Sequence, residues 1–188
     1  KLAPLADAAK QRGGHVFHLN IGQPDLPTPE KALNAVRKIG RKTLEYSPSQ
    51  GLKSLRDKFA VYYRKFGIDL SPEQIIVTAG GSEALLATFL TCFDEGDEVI
   101  ITEPGYANYL GFAKAAGLTV KAVTSRIEDR FALPSAEDFR KAITPKTKAI
   151  LICNPNNPTG YLYSPEELFQ LRDLVKEYDL FLIADEVY

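Results

Sequence analysis

KAILICNPNNPTGYLYSPEELFQLRDLVKEYDLFLIADEVY, residues 148–188, reads as a strand, a helix and a second strand in that order. The run KAILIC (148–153) is near-continuous in apolar residues rather than alternating. A strand covered on both faces reads that way. Ser164 stands directly before Pro165 and three residues before Glu167. That is a capping box with proline at the first helical position, opening a helix to about Tyr178. The run LFLIA (180–184) is the second strand. Two such strands joined through a helix predict a parallel pair with a right-handed crossover.

The same alternation continues toward the N-terminus. EVIIT (98–102), LTVKAV (118–123) and IIVT (75–78) are further strand-like runs rich in Ile and Val. Thr28 as N-cap, followed by Pro29, predicts a helix over roughly 29–39. Leu52, Leu55, Phe59, Tyr62, Tyr63 and Phe66 share one helical face, and Gly67 stops that helix. Tyr62, Tyr63 and Phe66 are expected in the core or in a dimer contact. Ser82 opens a helix through EALLATFLTCF, which the turn DEGD closes, and Ser135 with Asp138 opens another near 135–143. The prediction is an α/β fold, a three-layer αβα arrangement with a mostly parallel sheet. Residues 1–40 are loop-rich, with GQPDLPTP and no strand-like run. They are expected to form an N-terminal arm or part of a small domain, and residues 41–188 the sheet domain.

Composition narrows the function classes. Of 188 residues, 45% are hydrophobic and 25% charged, which excludes disordered, collagen-like and coiled-coil chains. Lys and Arg number 23 against 24 Asp and Glu, leaving a net charge of -1. A nucleic-acid binder would carry a basic excess. No apolar run is long enough to span a bilayer, and the N-terminal stretch has no signal-peptide core. Cys92 and Cys153 form no disulfide or zinc pattern. They read as buried free thiols, suited to a reducing, cytoplasmic compartment. His15 and His18 lie in a loop-like segment with no carboxylate or Cys pattern, so no metal site is expected. Met is absent, and the sequence stops at Tyr188 directly after a strand-like run. The expectation is a piece of a longer protein.

Ligands of such sheets bind beyond the carboxyl ends of the strands. The residues just past each apolar run are therefore the place to look. AGGSEAL comes after IIVT, and its glycines lead into a helix. This is either a tight turn with Ser82 as cap or an anion site in which glycines admit a phosphate to free N–H groups. It has neither Walker nor GxGxxG spacing. EPGYANY comes after EVIIT and places Tyr106 at a helix start, as a core side chain or as a flat wall for a planar ligand. NPNNPTG comes after KAILIC, with two Pro, three Asn and one Gly in seven residues. That is a restricted loop presenting side-chain amides. DEVY comes after LFLIA, where Asp185 is expected to be partly desolvated and to need a cationic partner. Tyr188 lies three residues on. One ligand answers all four features: pyridoxal phosphate offers a phosphate, a flat ring, a ring cation and a polar ring oxygen.

The series NIGQPDLPTP, YSPSQGLKSLR, TAGGSEAL, EPGY, NPNNPTG and ADEVY, in this order, resembles the class I/II aminotransferases. These are the aspartate aminotransferase-like proteins of the pyridoxal-phosphate-dependent fold-type I superfamily. The resemblance runs along essentially the whole chain, which answers to about the first half of such a protein. It implies the transferase-like large domain, incomplete at the C-terminus. It further implies pyridoxal 5'-phosphate as cofactor, with Gly81 and Ser82 on its phosphate and Tyr106 stacked on its ring. Asn157 and Tyr188 would contact the ring oxygen, and Asp185 would pair with the pyridinium nitrogen. Tyr46 would reach the phosphate of the other subunit, which implies a homodimer. Gly22, Asn157 and Tyr106 would lie against the substrate. The implied activity is transfer of an amino group from an L-amino acid such as aspartate to a 2-oxo acid, in amino-acid biosynthesis or metabolism. No Lys here occupies the family's Schiff-base position, which is expected beyond Tyr188, as is the Arg that clamps the substrate carboxylate. By itself the segment is expected to be inactive. C–S lyases and cyclopropane-forming synthases share most of these motifs. A pyridoxal-phosphate-binding sensor domain of a transcription regulator is a further alternative, for which nothing upstream of Gly14 supplies a DNA-binding helix pair.

Overall fold

The computed structural model describes residues 2–19, 22 and 24–188. Asn20, Ile21 and Gln23 of the NIGQPDLPTP motif lie outside the described residues. The chain divides into two compact units, Lys1–Tyr46 and Ser47–Tyr188. The first holds α1 (Ala3–Gln11) and α2 (Glu30–Arg37). The second holds α3 (Lys53–Arg64), a short 3-10 turn (Pro72–Gln74), α4 (Gly81–Cys92), β1 (Glu98–Glu103), α5 (Asn108–Ala115), β2 (Thr119–Thr124), α6 (Ala136–Ala142), β3 (Thr147–Cys153), α7 (Pro165–Glu177) and β4 (Phe181–Asp185).

The four strands form one sheet in the order β2-β1-β3-β4, and every pairing is parallel. Side chains alternate across a strand, and here each face meets its own pair of helices. Val99, Ile101, Ala149, Leu151 and Cys153 pack with Leu85 and Phe89 of α4 and Tyr109 and Ala113 of α5. Ile100, Ile150 and Ile152 face the other way, onto Phe139 of α6 and Leu171 and Leu174 of α7. The second unit is therefore three-layered, α on β on α, as the run pattern predicts. The expected caps of α6 and α7 are in place: Ser135 accepts from the Asp138 N–H, and Ser164 and Glu167 form the reciprocal box.

Several expectations change. IIVT (75–78) is not a strand of the sheet. Ile75 is extended, but the segment's link to the fold is the Val77 N–H donating to Gln50 O at 3.0 Å. No neighbouring strand pairs with it among the described residues, so a strand-like sequence forms no ladder there. The N-cap of α4 is Gly80, not Ser82, and α2 begins at Glu30 with Pro29 as cap. Residues 3–11, within the segment read from sequence as loop-rich, are helical. Two-sided cover holds for β1 and β3, whereas β2 and β4 are edges with exposed positions. The helical face Leu52, Leu55, Phe59, Tyr62 and Phe66 is solvent-exposed, while Arg56 and Ala60 of α3 are buried. Cys153 is buried as expected, but Cys92, at the end of α4, is exposed. No helix is long and apolar enough to cross a membrane, and no cluster of metal-ligating side chains occurs, among the described residues.

Two sets of contacts tie parts of the second unit together. Gly51 has φ +90, and a Cβ there would lie 2.6 Å from the Val77 Cβ. Arg56, buried, donates to the carbonyls of Gly51 and Pro72 and holds the same crossing. At the amino ends of β1 and β3, Glu98 accepts from the hydroxyls of Thr144 at 2.6 Å and Thr147 at 3.2 Å, with Lys121 Nζ 3.4 Å away. The Thr144 hydroxyl is the main cause that holds the Glu98 carboxyl below the usual carboxylate range, helped by Lys121 and opposed by burial.

Gly51→Ala combines a left-handed backbone with a clash and is expected to destabilise by about 2 kcal/mol or more in denaturant titration. Glu98→Gln is expected to cost about 1 kcal/mol near neutral pH. A depressed folded pKa gives stability above the unfolded value that is lost as pH falls through the folded one. The stability gap between wild type and Glu98→Gln should therefore close below the ordinary carboxylate range, as read by melts at a series of pH values.

Candidate active site

The carboxyl ends of β1, β3 and β4 and the start of α4 surround a cavity of about 210 Å³. Gly81, Ser82, Tyr106, Asn157, Asp185 and Tyr188, the six large-domain residues singled out from sequence, all line it. Leu85, Tyr109, Cys153 and Val187 complete the wall.

Each is placed by local chemistry. At the head of α4, the first helical N–H groups have no partner within the helix. The chain there is open: a Cβ added at Gly80 or Gly81 would meet nothing within 4 Å. The turn is held from behind by the Thr78 hydroxyl donating to Gly80 O at 2.9 Å and by the Ala79 N–H donating to the Glu83 carboxylate. The result is a helix N-terminus with accessible donors and a favourable dipole for a negative group.

Tyr106 stands two residues before α5 rather than on it. Its ring meets Tyr109 edge to face, centroids 5.3 Å apart at 83°, and its hydroxyl accepts from Asn108 Nδ2 at 2.7 Å. The flat face of Tyr106 is thus fixed by two neighbours.

The loop after β3 is tied at several points. Asn154 N–H donates to Asp185 O at 2.9 Å, and Asn154 Oδ1 accepts from the Tyr163 N–H at 3.0 Å. Asn156 Nδ2 donates to Pro104 O at 3.1 Å and to the Thr159 hydroxyl at 2.7 Å, joining this loop to the turn before Tyr106. These bonds tie Asn154 and Asn156 into the scaffold, Asn156 through its Nδ2 with its Oδ1 left buried and unpaired among the described residues. Asn157 is the amide that lines the cavity, where its Nδ2 donates to the Tyr188 hydroxyl at 2.8 Å.

Asp185 ends β4. Its Oδ1 accepts from the Val187 N–H at 3.2 Å and its Oδ2 from the Tyr109 hydroxyl at 2.6 Å. Tyr109 is 2% exposed. Burial first, and then its bond to Asp185, pushes the phenol far above its ordinary value, so it remains a donor. Sequence reading missed Tyr109. The available signal was its position three residues after Tyr106, one helical turn along the same segment.

The cavity therefore presents a helix start with accessible N–H groups, an aromatic plane, a fixed carboxylate, and an amide–phenol pair. No Lys lines it. Gly22 and Tyr46 belong to the first unit, and both are exposed.

Comparison with known proteins identifies relatives of this chain. The model of the family described as "Aminotransferase class I and II" matches residues 14–188. The aspartate/prephenate aminotransferase of Thermus thermophilus is 38% identical over 181 residues, covering 95% of this chain and 47% of that protein. The aspartate aminotransferase of Thermotoga maritima is 38% identical over 190 residues, covering 100% of this chain and 50% of that protein. Among solved structures, the alanine aminotransferase of Pyrococcus furiosus superposes with a TM-score of 0.93 at 35% identity, over 100% of this chain and 49% of its own. The chain spans about half the length of the curated relatives it matches. By the extent of that match and by the order of its motifs, the chain belongs to the class I and II aminotransferases.

Proposed function

We propose that the protein to which this chain belongs is a pyridoxal-phosphate-dependent aminotransferase, and that Ser47–Tyr188 provides most of its cofactor pocket. The observation that carries this reading is the convergence of Gly81, Ser82, Tyr106, Asn157, Asp185 and Tyr188 on one cavity. Family membership implies pyridoxal 5'-phosphate, and the donor set fits it. Gly81 and Ser82 would bind the phosphate through the N–H groups of α4 and the Ser hydroxyl. Tyr106 would cover the ring, and Asn157 and Tyr188 would donate to the ring oxygen. Asp185 would hold a proton on the ring nitrogen, since an anionic carboxylate beside a cation favours the charged form of both. When bound, the cofactor supplies a sink for the electrons released at the substrate Cα.

The amino donor is an L-amino acid and the acceptor a 2-oxo acid. Aspartate is the first donor to test, because relatives from Thermus, Thermotoga and Bacillus are named for it. Gly22 against the substrate and Tyr46 on the phosphate of a second copy rest on the motifs NIGQPDLPTP and YSPSQG alone. A homodimer follows from the role of Tyr46, and the exposed apolar face of α3 is consistent with a partner there. Residues 1–40 fit an arm or part of a small domain on the same motif argument.

The test is made on the full-length protein. Incubation with pyridoxal phosphate and borohydride should add one phosphopyridoxyl group per chain to the intact mass. Aspartate and 2-oxoglutarate should then exchange the amino group. Asp185→Asn is expected to lower that turnover by about 100-fold or more, because it leaves the ring cation unpaired. No adduct in wild type, or full turnover in Asp185→Asn, would sink the reading.

A further inference from the structure

We infer that Tyr109 is a positioning residue for the cofactor. It acts from both ends of its side chain, its ring setting the plane of Tyr106 and its hydroxyl setting the carboxylate of Asp185. The inference rests on the cofactor reading above and adds to it a residue that touches neither phosphate nor ring oxygen.

A planar ligand held between Tyr106 and Asp185 needs the aromatic wall and the carboxylate at one fixed separation. They come from different elements: Tyr106 precedes α5, and Asp185 ends β4, 79 residues later in the chain. Tyr109, on the first turn of α5, touches both. Its ring meets Tyr106 at 5.3 Å and 83°, an edge-to-face contact that fixes the tilt of the wall. Its hydroxyl donates to Asp185 Oδ2 at 2.6 Å.

The other carboxylate oxygen accepts from the Val187 N–H at 3.2 Å. With one donor on each oxygen, rotation about the Cβ–Cγ bond of Asp185 is restrained. Each oxygen still has a lone pair for a further donor. Cys153, 2% exposed, closes the floor and keeps its thiol on Pro155 O at 3.2 Å. Tyr109 itself is buried within the α4–α5 core cluster, which holds its ring in place behind the cavity wall.

The donor bond does a second thing. An anionic carboxylate in a partly dry wall competes with the ring nitrogen for the proton between them. A phenol donating to that carboxylate lowers its basicity. The proton then stays on the ring nitrogen, as an electron sink requires. Without the hydroxyl, the proton shifts toward Asp185.

The experiment uses the full-length protein, with pyridoxamine 5'-phosphate labelled with 15N in the ring as the probe. Affinity is measured by equilibrium dialysis and ring-nitrogen protonation by the 15N chemical shift. Wild type, Tyr109→Phe, Asp185→Asn and the double variant form one cycle. Tyr109→Phe keeps the ring contact and is expected to weaken binding about tenfold. It should also move the 15N signal toward that of neutral pyridine. In the Asp185→Asn background the same change should move the 15N signal no further, because no carboxylate remains to compete for the ring proton. General damage to packing would instead lower affinity without that dependence of the 15N signal on Asp185. Should Tyr109→Phe fail to fold, 3-fluorotyrosine at position 109 runs the same cycle. It keeps the shape, alters only the donor strength, and should move the 15N signal only with Asp185 present. Equal affinity and equal 15N shift in wild type and Tyr109→Phe would overturn the inference, as would 15N displacements that add in the double variant. Failure of wild type to bind the probe would overturn the cofactor reading and this inference with it.

Discussion

Strand β3 is the constraint on which the second unit depends. It pairs with β1 on one side and β4 on the other. Its side chains alternate between two separate apolar clusters, Ala149, Leu151 and Cys153 to one and Ile150 and Ile152 to the other. A one-residue slip would exchange every one of these side chains between faces. Both faces would then be misfilled, by small residues where branched ones belong and the reverse. Register is thus pinned from both sides. The ends of β1, β3 and β4 are fixed relative to one another as a result, and the cavity is nothing more than the space beyond those ends.

That placement accounts for how the site is built from short-range pieces. No functional side chain has to be carried on a long loop. Asp185 is the last residue of its strand, Asn157 lies four residues past the end of β3, and Tyr106 three past the end of β1. The cross-links are few and directional. Asn156 joins the loop after β3 to the turn after β1 through Pro104 O, and Asn154 joins it to the end of β4 through Asp185 O. Two of the three asparagines in the loop therefore serve architecture, leaving the third for a ligand. Residue type alone does not separate these jobs, since all three are the same amino acid.

Much of this was legible in the sequence, and the failures have physical reasons. The four strands of the sheet were readable because each is a run of branched apolar residues between turn signals. The caps of α6 and α7 were readable because Ser135 and Ser164 act locally. Tyr106, Asn157, Asp185 and Tyr188 were readable because the ends of β1, β3 and β4 gather them, and Gly81 and Ser82 because glycines lead into α4, although no strand precedes them among the described residues. IIVT misled because its pattern is that of a strand, while a ladder needs a neighbour that composition cannot reveal. The face of α3 stayed open between core and dimer contact because helical periodicity shows that apolar side chains share a side and not what covers it. Ser82 was misplaced by two positions because Gly80 can cap a helix without a side-chain signature. Tyr109 was missed for a different reason. Its spacing from Tyr106 was a local signal, but its bond to Asp185 joins residues far apart in sequence, which no local pattern announces.

The buried Glu98 and its two threonine donors sit at the amino ends of β1 and β3, opposite the ends that frame the cavity. Stability and chemistry are thereby segregated along single strands, an inert pole and a reactive pole about six residues apart. Mutational tolerance should be polarised in the same way. Residues around the reactive pole can vary to suit different ligands while the inert pole holds the sheet. A fold divided like this can diversify its chemistry without first losing its shape. It is a physical reason for one scaffold to serve relatives with differently named substrates.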